Sequence, residues 1–247
     1  MQSLILVRGF MQSLLLATVF ENIKRIFETQ KFIDTIIEGL KITLIVSFGA
    51  VVLGCILGII VAFVKISQSK SKLMKIPKAI CDIYITIIRG TPVALQLYIM
   101  YFVVFTIRGF PTEVTAIIAF GVNSGAYVAE NIRAGILSVD KGQMEAGRAL
   151  GLTYPKTMLK IIIPQAIKNV IPAMCNEFIA LIKETSIVSM IGMLDLTQAS
   201  KIIGSGQNLA TYFAPMVVVA MFYLAIVYIL TFAIKLIERR LRASDNR

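Results

Sequence analysis

Few residues of this chain have the types and spacing that chemistry requires. Histidine is absent from the 247 residues, which excludes a histidine general base and a histidine-ligated metal. The three cysteines lie far apart without CxxC spacing, so they predict small buried side chains rather than metal ligands or a disulfide: Cys55, Cys81 and Cys175. No nucleophile–base pattern supports a membrane enzyme. We therefore predict neither a catalytic nor a metal site, and what remains is non-covalent binding.

Polar residues inside apolar stretches are the candidates for a substrate path, because a polar group in lipid is costly and usually functional. We predict this path at four positions: Asn123, Ser124, Asn176 and Glu177. A carboxylate such as Glu177 is suited to a substrate ammonium or guanidinium group. The alternative is that Glu177 pairs with Lys183 or with another subunit and never contacts substrate.

The apolar region from Ala79 to Ile107 is interrupted at its centre by Arg89-Gly90-Thr91-Pro92. Gly90 weakens a helix, and Pro92 supplies no amide hydrogen. Two interpretations stay open for Arg89, a kinked helix with a snorkelling arginine or a helix break that faces the bundle interior. In either case we predict that Arg89 and Pro92 form a gate or a structural element.

A charged segment with Gly and Pro at fixed positions, residues 138–168, lies between two apolar regions. Ser138 or Asp140 can cap a first short helix, and Gly151 suits the left-handed position after it. Thr153 can cap a second helix with Pro155 in its first turn. Such a loop could bind a groove of a soluble partner or lie on the bilayer, and the bases would serve either.

Composition identifies a polytopic membrane protein: 57% of the residues are hydrophobic and 16% are charged. The net charge of +11 does not indicate nucleic acid, because the bases cluster between the apolar runs, as the positive-inside rule describes. Lys65 to Lys78 holds five lysines and no acid, and the tail from Lys235 is also basic. Both are predicted to be cytoplasmic, which places the amino terminus outside and the carboxyl terminus inside.

The predicted fold is an all-α membrane protein of about five transmembrane helices. Ile42 to Val64 has no charged residue and forms the first span, on which Ala50, Gly54 and Gly58 make a stripe for close helix packing. Residues 1–38 are predicted to be an amino-terminal helical segment, interfacial over 1–20 and amphipathic over 21–38. The transmembrane domain covers 39–240, with the loop at 138–168, and a cytoplasmic tail covers 241–247.

The loop resembles the EAA loop of ABC importer permeases, which reads Glu-Ala-Ala, three residues, Gly, nine residues, Ile-x-Leu-Pro. The matching positions are Glu145, Ala146, Gly147, Gly151, Ile161 and Pro164. Two positions depart from the pattern, Gly147 in place of Ala and Ile163 in place of Leu. Further motifs over about residues 33–240 resemble the polar amino-acid branch of that family: Arg89-Gly90-Thr91-Pro92 with Gln96, Asn123 to Tyr127 with Glu130 and Arg133, Gly142-Gln143, Pro164-Gln165-Ala166 and Lys183-Glu184-Thr185-Ser186.

This resemblance implies a type I importer fold in the prokaryotic cytoplasmic (inner) membrane and transport by alternating access. It implies a second permease subunit, two cytoplasmic ATPase subunits, an extracytoplasmic solute-binding protein and a polar or charged amino-acid substrate. The sequence contains no GxxxxGK[ST] pattern, so ATP and Mg²⁺ are expected on the partner ATPase and no cofactor on this chain. The alternative function is a stand-alone secondary amino-acid transporter or channel that does not use ATP.

Overall fold

The computed structural model describes residues 17–67, 71–205 and 209–242. Within these ranges the chain is helical, and shorter 3₁₀ and π turns extend several of the helices. The helices are α1 (17–28), α2 (Gln30–Ile66), α3 (Lys75–Gly90), α4 (Val93–Ile99), α5 (Thr112–Leu137), α6 (Lys141–Ala149), α7 (Tyr154–Thr157), α8 (Ile163–Glu184), α9 (Leu196–Ile203) and α10 (Leu209–Arg242).

Among the residues that the structure describes, three helical stretches are long and apolar enough to cross a membrane: Gln30–Ile66, Tyr154–Ile191 and Tyr212–Arg240. A fourth is a broken span, Lys72–Gly90 followed by Val93–Val104, with a bend of 109° between its halves. Helix α5 has 26 residues, which is sufficient length, although small and polar side chains such as Asn123 and Ser124 lower its hydropathy. Counted together, these five passages agree with the predicted fold class.

The amino-terminal region differs from its prediction. Residues 21–38 do not form one surface helix, because α1 ends at residue 28 and α2 begins at Gln30. No Gly or Pro separates Gln30 from Ile42 except Gly39, and Glu38 pairs with Lys41 at 3.5 Å on the exposed face. The helix therefore continues directly into the first span. The interfacial helix predicted for 1–20 lies mostly outside the described residues, as does the end of the tail.

The chain divides into two compact units, which are described separately. Unit 1 comprises Met1–Ile45 and Thr185–Tyr228, and unit 2 comprises Val46–Glu184 and Ile229–Arg247. The core of unit 1 is formed by buried apolar residues of α1, α2, α9 and α10: Ile26, Ile36, Leu196, Ile203, Ala214, Val218 and Val219.

A buried carboxylate, Asp195, fixes α9 within unit 1. Its side chain accepts hydrogen bonds from the amides of Thr197 at 2.9 Å and Gln198 at 2.8 Å, which caps the helix. The Tyr223 hydroxyl donates to the same carboxylate at 3.2 Å. Burial raises the pKa of the Asp195 carboxyl, and these hydrogen bonds oppose the rise. The connection after the fourth span is thus an ordered, capped helix.

Unit 2 is built on α5, which packs along α8 and against the predicted small-residue stripe of α2. A Cβ added at Gly54 would lie 2.8 Å from the Ser124 side chain, and one added at Gly58 would lie 2.5 Å from Val128. On the other side, a Cβ at Gly135 would lie 2.3 Å from the Val170 side chain. Close helix approach of this kind is what small residues permit in membrane proteins.

Candidate coupling loop and translocation path

The loop between α5 and α8 is a capped helix followed by a tight turn. Asp140, rather than Ser138, caps α6 and accepts from the Gly142 amide at 2.6 Å. Gly151 has a φ of +78°, the left-handed conformation that glycine adopts without strain, and it turns the chain toward α7. Thr153 occupies the predicted cap position of α7 without a side-chain cap bond, and Pro155 lies in the first turn.

We call the segment from Glu145 to Pro164 the elbow. Gly147 is buried in the elbow against Thr157, and this close contact accounts for glycine at a position where the EAA pattern has alanine. A Cβ at Gly147 would lie 2.5 Å from Cγ2 of Thr157, closer than real atoms approach. Thr157 is fully buried, and its hydroxyl donates to the Thr153 carbonyl at 3.1 Å. An alanine at 147 therefore requires a smaller residue at 157 or a shift of the elbow.

The outward side of the elbow is solvent-accessible. Glu145 and Ala146 are exposed, and so is Pro164, whereas Ile161 is half-buried beside Gly147. Two leucines flank this surface with large exposed fractions, 80% for Leu150 and 64% for Leu159.

The second loop helix is continuous with the fourth span. Helix α7 passes through a π-helical turn, Met158–Ile162, into α8 without a break. Pro164 has no amide hydrogen for the carbonyl one turn earlier, and the wider π turn accommodates the missing bond. The Gln165 side chain donates to the Ile161 carbonyl at 2.9 Å and reinforces this turn. In this described part of the chain, no irregular segment therefore separates the loop helix from α8.

A second tie connects α8 to the end of α5, where the loop begins. The Asn169 side chain donates to the Ser138 hydroxyl at 2.8 Å, and that hydroxyl donates to the Gly135 carbonyl at 2.7 Å. Both ends of the loop are thus held on a single helix pair.

Of the two interpretations left open for Arg89–Pro92, a kinked helix or a break, the structure has a break, and Gln96 stabilises it. Thr91 is extended, with φ −123° and ψ 147°, the conformation favoured before proline. Because Pro92 cannot donate to the Ile88 carbonyl, the Gln96 side-chain amide does so instead, at 2.8 Å. The same amide contacts the Thr91 hydroxyl at 2.8 Å, and its oxygen accepts from Asn123 of α5 at 2.9 Å.

Arg89 lies exposed in the last turn of α3, with its guanidinium 5.3 Å from the centre of the Tyr127 ring. This distance is within the range of a cation–π contact. Glu130 and Arg133 pair on one face of α5, as their spacing predicts, with 2.9 Å between Arg133 Nε and a carboxylate oxygen. The exposed Arg89 is thus held against α5 through an aromatic ring.

The structure brings Ser124 and Glu177 together on facing helices. The Glu177 carboxyl lies beside the Ser124 hydroxyl, which is fully buried. Among the described residues, the Ser124 hydroxyl is the one buried side-chain oxygen that makes no hydrogen bond of ordinary length and angle. No ion pair of Glu177 is present among the described residues, so it does not pair with Lys183 within this part of the chain.

The remaining path candidates are placed differently. Asn123 is 4% exposed and its side-chain amide donates to Gln96, whereas Asn176 lies on the exposed side of α8.

Three residues that contribute to these sites were not among the predicted site residues: Gln96, Thr157 and Tyr84. The Tyr84 hydroxyl donates to the Val122 carbonyl at 2.6 Å. The sequence signal for the role of Gln96 was its position four residues after Pro92, which is about one helical turn. In the described ranges no group of three His, Cys, Asp or Glu residues could hold a metal ion.

Comparison with known proteins agrees with this geometry. Residues 50–243 match the family model described as "Binding-protein-dependent transport system inner membrane component". The chain is 41% identical to the arginine transport system permease protein ArtQ of Bacillus subtilis, over 86% of this chain and 95% of that protein. It is also 41% identical to a putative glutamine transport system permease protein GlnP of Rickettsia bellii, over 85% of this chain and 94% of that protein.

A solved structure described as an amino acid ABC transporter with histidines superimposes with a TM-score of 0.77. The two chains are 41% identical, and the alignment covers 85% of this chain and 95% of the other. In this family the permease is a transport subunit rather than an enzyme, and a separate subunit hydrolyses ATP. The chain belongs to the family of binding-protein-dependent transport system inner membrane components, as a membrane-spanning permease subunit of the amino-acid branch of ABC importers.

Proposed function

We propose that this chain forms half of a translocation path and couples it to a cytoplasmic ATPase through the elbow from Glu145 to Pro164. A second permease subunit, a copy or a homologue, completes the path, and an extracytoplasmic binding protein delivers the amino acid. Two ATPase subunits bind ATP and Mg²⁺, and this chain binds neither. The amino terminus lies outside the cytoplasmic membrane, and the carboxyl terminus lies inside.

The observation that carries this proposal is the continuous helix from Tyr154 to Glu184, which begins in an exposed elbow and ends as a span. When ATP closes the two ATPase subunits, their grooves move the elbows together. A rigid helix transmits that motion to the span and opens the path outward, and hydrolysis resets it inward. A flexible connection at Pro164 would absorb the motion instead.

The test is co-purification of the tagged chain, in mild detergent, with the products of its chromosomal neighbours. We expect a stoichiometric ATPase that Glu145→Lys loses, since charge reversal disrupts a contact made by an exposed residue of α6. Glu38→Lys is the matched control, because Glu38 is also exposed and its pair with Lys41 contributes little to stability. A chain that purifies alone and transports amino acids without ATP would instead support the secondary transporter.

We further propose that Glu177 meets a cationic group of the substrate. Its half-buried carboxylate lies beside Ser124 and has no ion-pair partner among the described residues. An unpaired carboxylate in low-dielectric surroundings gains most from a cation that arrives with the substrate. The relatives named above are an arginine and a putative glutamine transport system, so these two amino acids are the substrates to compare.

Glu177→Gln is expected to reduce arginine uptake at least tenfold and to change glutamine uptake much less, because only arginine brings a charged side chain. The measurement is uptake of both amino acids into vesicles that contain the complete assembly. Glu184→Gln is the matched control, being a half-buried carboxylate two turns further along α8. Unaltered arginine affinity and selectivity in Glu177→Gln would favour a structural role for this residue.

A further inference from the structure

An apolar groove in unit 2 adjoins the start of α8 and takes no part in the coupling or the substrate proposal. It has a volume of about 370 Å³ and is formed by the second half of α2, the end of α5 and the first half of α8. Aliphatic side chains, Phe63 and Met174 line it throughout, including Ile66, Ile136, Ala166 and Ile171. The volume is within the range of small-molecule sites, about 300–1,000 Å³.

A lysine lies next to one residue of the groove lining. Ile66, which lines it, is followed by Ser67, whose carbonyl accepts a hydrogen bond from the Lys78 ammonium. An ammonium group has three donors, so Lys78 keeps capacity for another acceptor. Lys65, the residue before Ile66, pairs with Asp82 at 2.8 Å. Because Lys65 is paired, it is Lys78 that brings positive charge close to this part of the lining.

The lining and the charge select the kind of ligand. A polar amino acid is excluded, because no lining side chain could replace the hydrogen bonds that it makes in water. A long apolar chain suits the groove, and an anionic head group suits the Lys78 ammonium beside Ile66. We propose that the groove binds one acyl chain of an anionic phospholipid, whose phosphate contacts Lys78. This site is independent of the coupling and substrate proposals.

Selectivity at this site comes from the head group. An acyl chain is already surrounded by hydrocarbon in the bilayer, so entering the groove changes its apolar exposure little. Attraction between a lysine and an anionic lipid contributes about 1 kcal/mol, which corresponds to roughly a fivefold preference. Charged and neutral lipids with identical chains should therefore differ in retention, and the difference should depend on Lys78.

Native mass spectrometry of the intact assembly tests this, with phosphatidylglycerol and phosphatidylcholine of the same acyl chains as probes. We expect phosphatidylglycerol to be retained about fivefold more strongly, and Lys78→Gln to remove most of that preference. Lys75→Gln is the matched control, because Lys75 lies one turn earlier on α3, is exposed and has the same charge. Equal retention of the two lipids, or equal effects of the two variants, would overturn the proposal.

The groove itself requires a separate test. Ile136→Trp fills it and should reduce retention of both lipids, and Ile171→Phe serves if the first variant does not fold. A photo-cross-linking residue at Ile167, which lines the groove and is 43% exposed, should label the lipid. A cross-link to a second permease chain, or unchanged lipid retention in a folded groove-filled variant, would show that the groove has another occupant.

Discussion

Pro92 and Pro164 each interrupt the backbone hydrogen bonding of an apolar stretch, and the chain accommodates them in opposite ways. At Pro92 the helix breaks and its two halves differ in direction by 109°. At Pro164 the helix continues through a π turn into α8. Each proline removes one backbone hydrogen bond, so the proline alone does not determine the outcome.

The preceding residues account for the difference. Thr91 follows Gly90 and is extended, whereas Ile163 follows an isoleucine and keeps helical angles, φ −59° and ψ −45°. Side-chain contacts then hold each result in place. Gln96 supplies a donor to the Ile88 carbonyl across the break, and the buried Met158 and Ile162 anchor the continuous turn. We call the helix break at Pro92 the corner, and the continuous helix from Tyr154 to Glu184 the rod.

Removing the Gln96 side-chain amide, which holds the corner, should have the largest effect on stability. Gln96→Leu leaves the Ile88 carbonyl and the Asn123 amide without these partners, and an unsatisfied buried polar group costs about 1–3 kcal/mol. We expect a loss of about 2–4 kcal/mol in unfolding free energy. In a thermal melt followed by fluorescence-detected size exclusion, that corresponds to a decrease of roughly 5–15 °C in Tm.

The matched variant at the rod is Gln165→Leu. It removes a hydrogen bond of 2.9 Å to the Ile161 carbonyl in a helix whose backbone bonds and packing remain, so we expect less than about 1 kcal/mol. Equal decreases in Tm for the two glutamine variants would mean that Gln96 has no special role at the corner.

Local signals in the sequence were sufficient for several of these features. Gly151, Asp140 and Pro155 act within three or four residues of themselves, so turn and capping rules could place them. The stripe of Gly54 and Gly58 indicated close packing from its period alone. The interruption at Pro92 was also visible, because Gly and Pro act on their own backbone.

Features that depend on distant residues were not predictable in this way. The sequence did not show that Gln96 would reach back eight residues to Ile88 or be held by Asn123, since both contacts follow from the packing of α4 on α5. Nor did it show that Gly147 faces Thr157, because that contact depends on the angle of the elbow. The meeting of Ser124 with Glu177 likewise required the pairing of α5 with α8.

The elbow at the start of the rod gives the next largest prediction. Gly147→Ala places a methyl group against Thr157 and should cost about 1–3 kcal/mol, as overpacking does. Thr157→Ser removes the clashing methyl and keeps the hydroxyl bond to Thr153, so the double variant should recover most of the loss. A double-mutant cycle of Tm, with hydrogen exchange at the Leu152 amide as a local probe, measures this coupling.

Strict additivity of the two single variants would show that Gly147 and Thr157 do not interact. Alanine at 147 with no loss of stability would likewise contradict the close contact. Thr153→Ala is a suitable control, because its backbone carbonyl accepts the Thr157 hydroxyl and its own side chain makes no cap bond.

The smallest expected effect is at Pro92 itself. If the corner is maintained by Gly90, the extended Thr91 and the Gln96 bonds, then Pro92→Ala should retain the bend. Spin labels on non-natural residues at Ile80 and Phe102, both exposed, report the geometry in samples diluted with unlabelled chain. A straight helix would place the two backbones about 33 Å apart along its axis. We expect the distance distribution of the wild type, whereas a shift toward that length would show that the proline is what prevents a continuous helix.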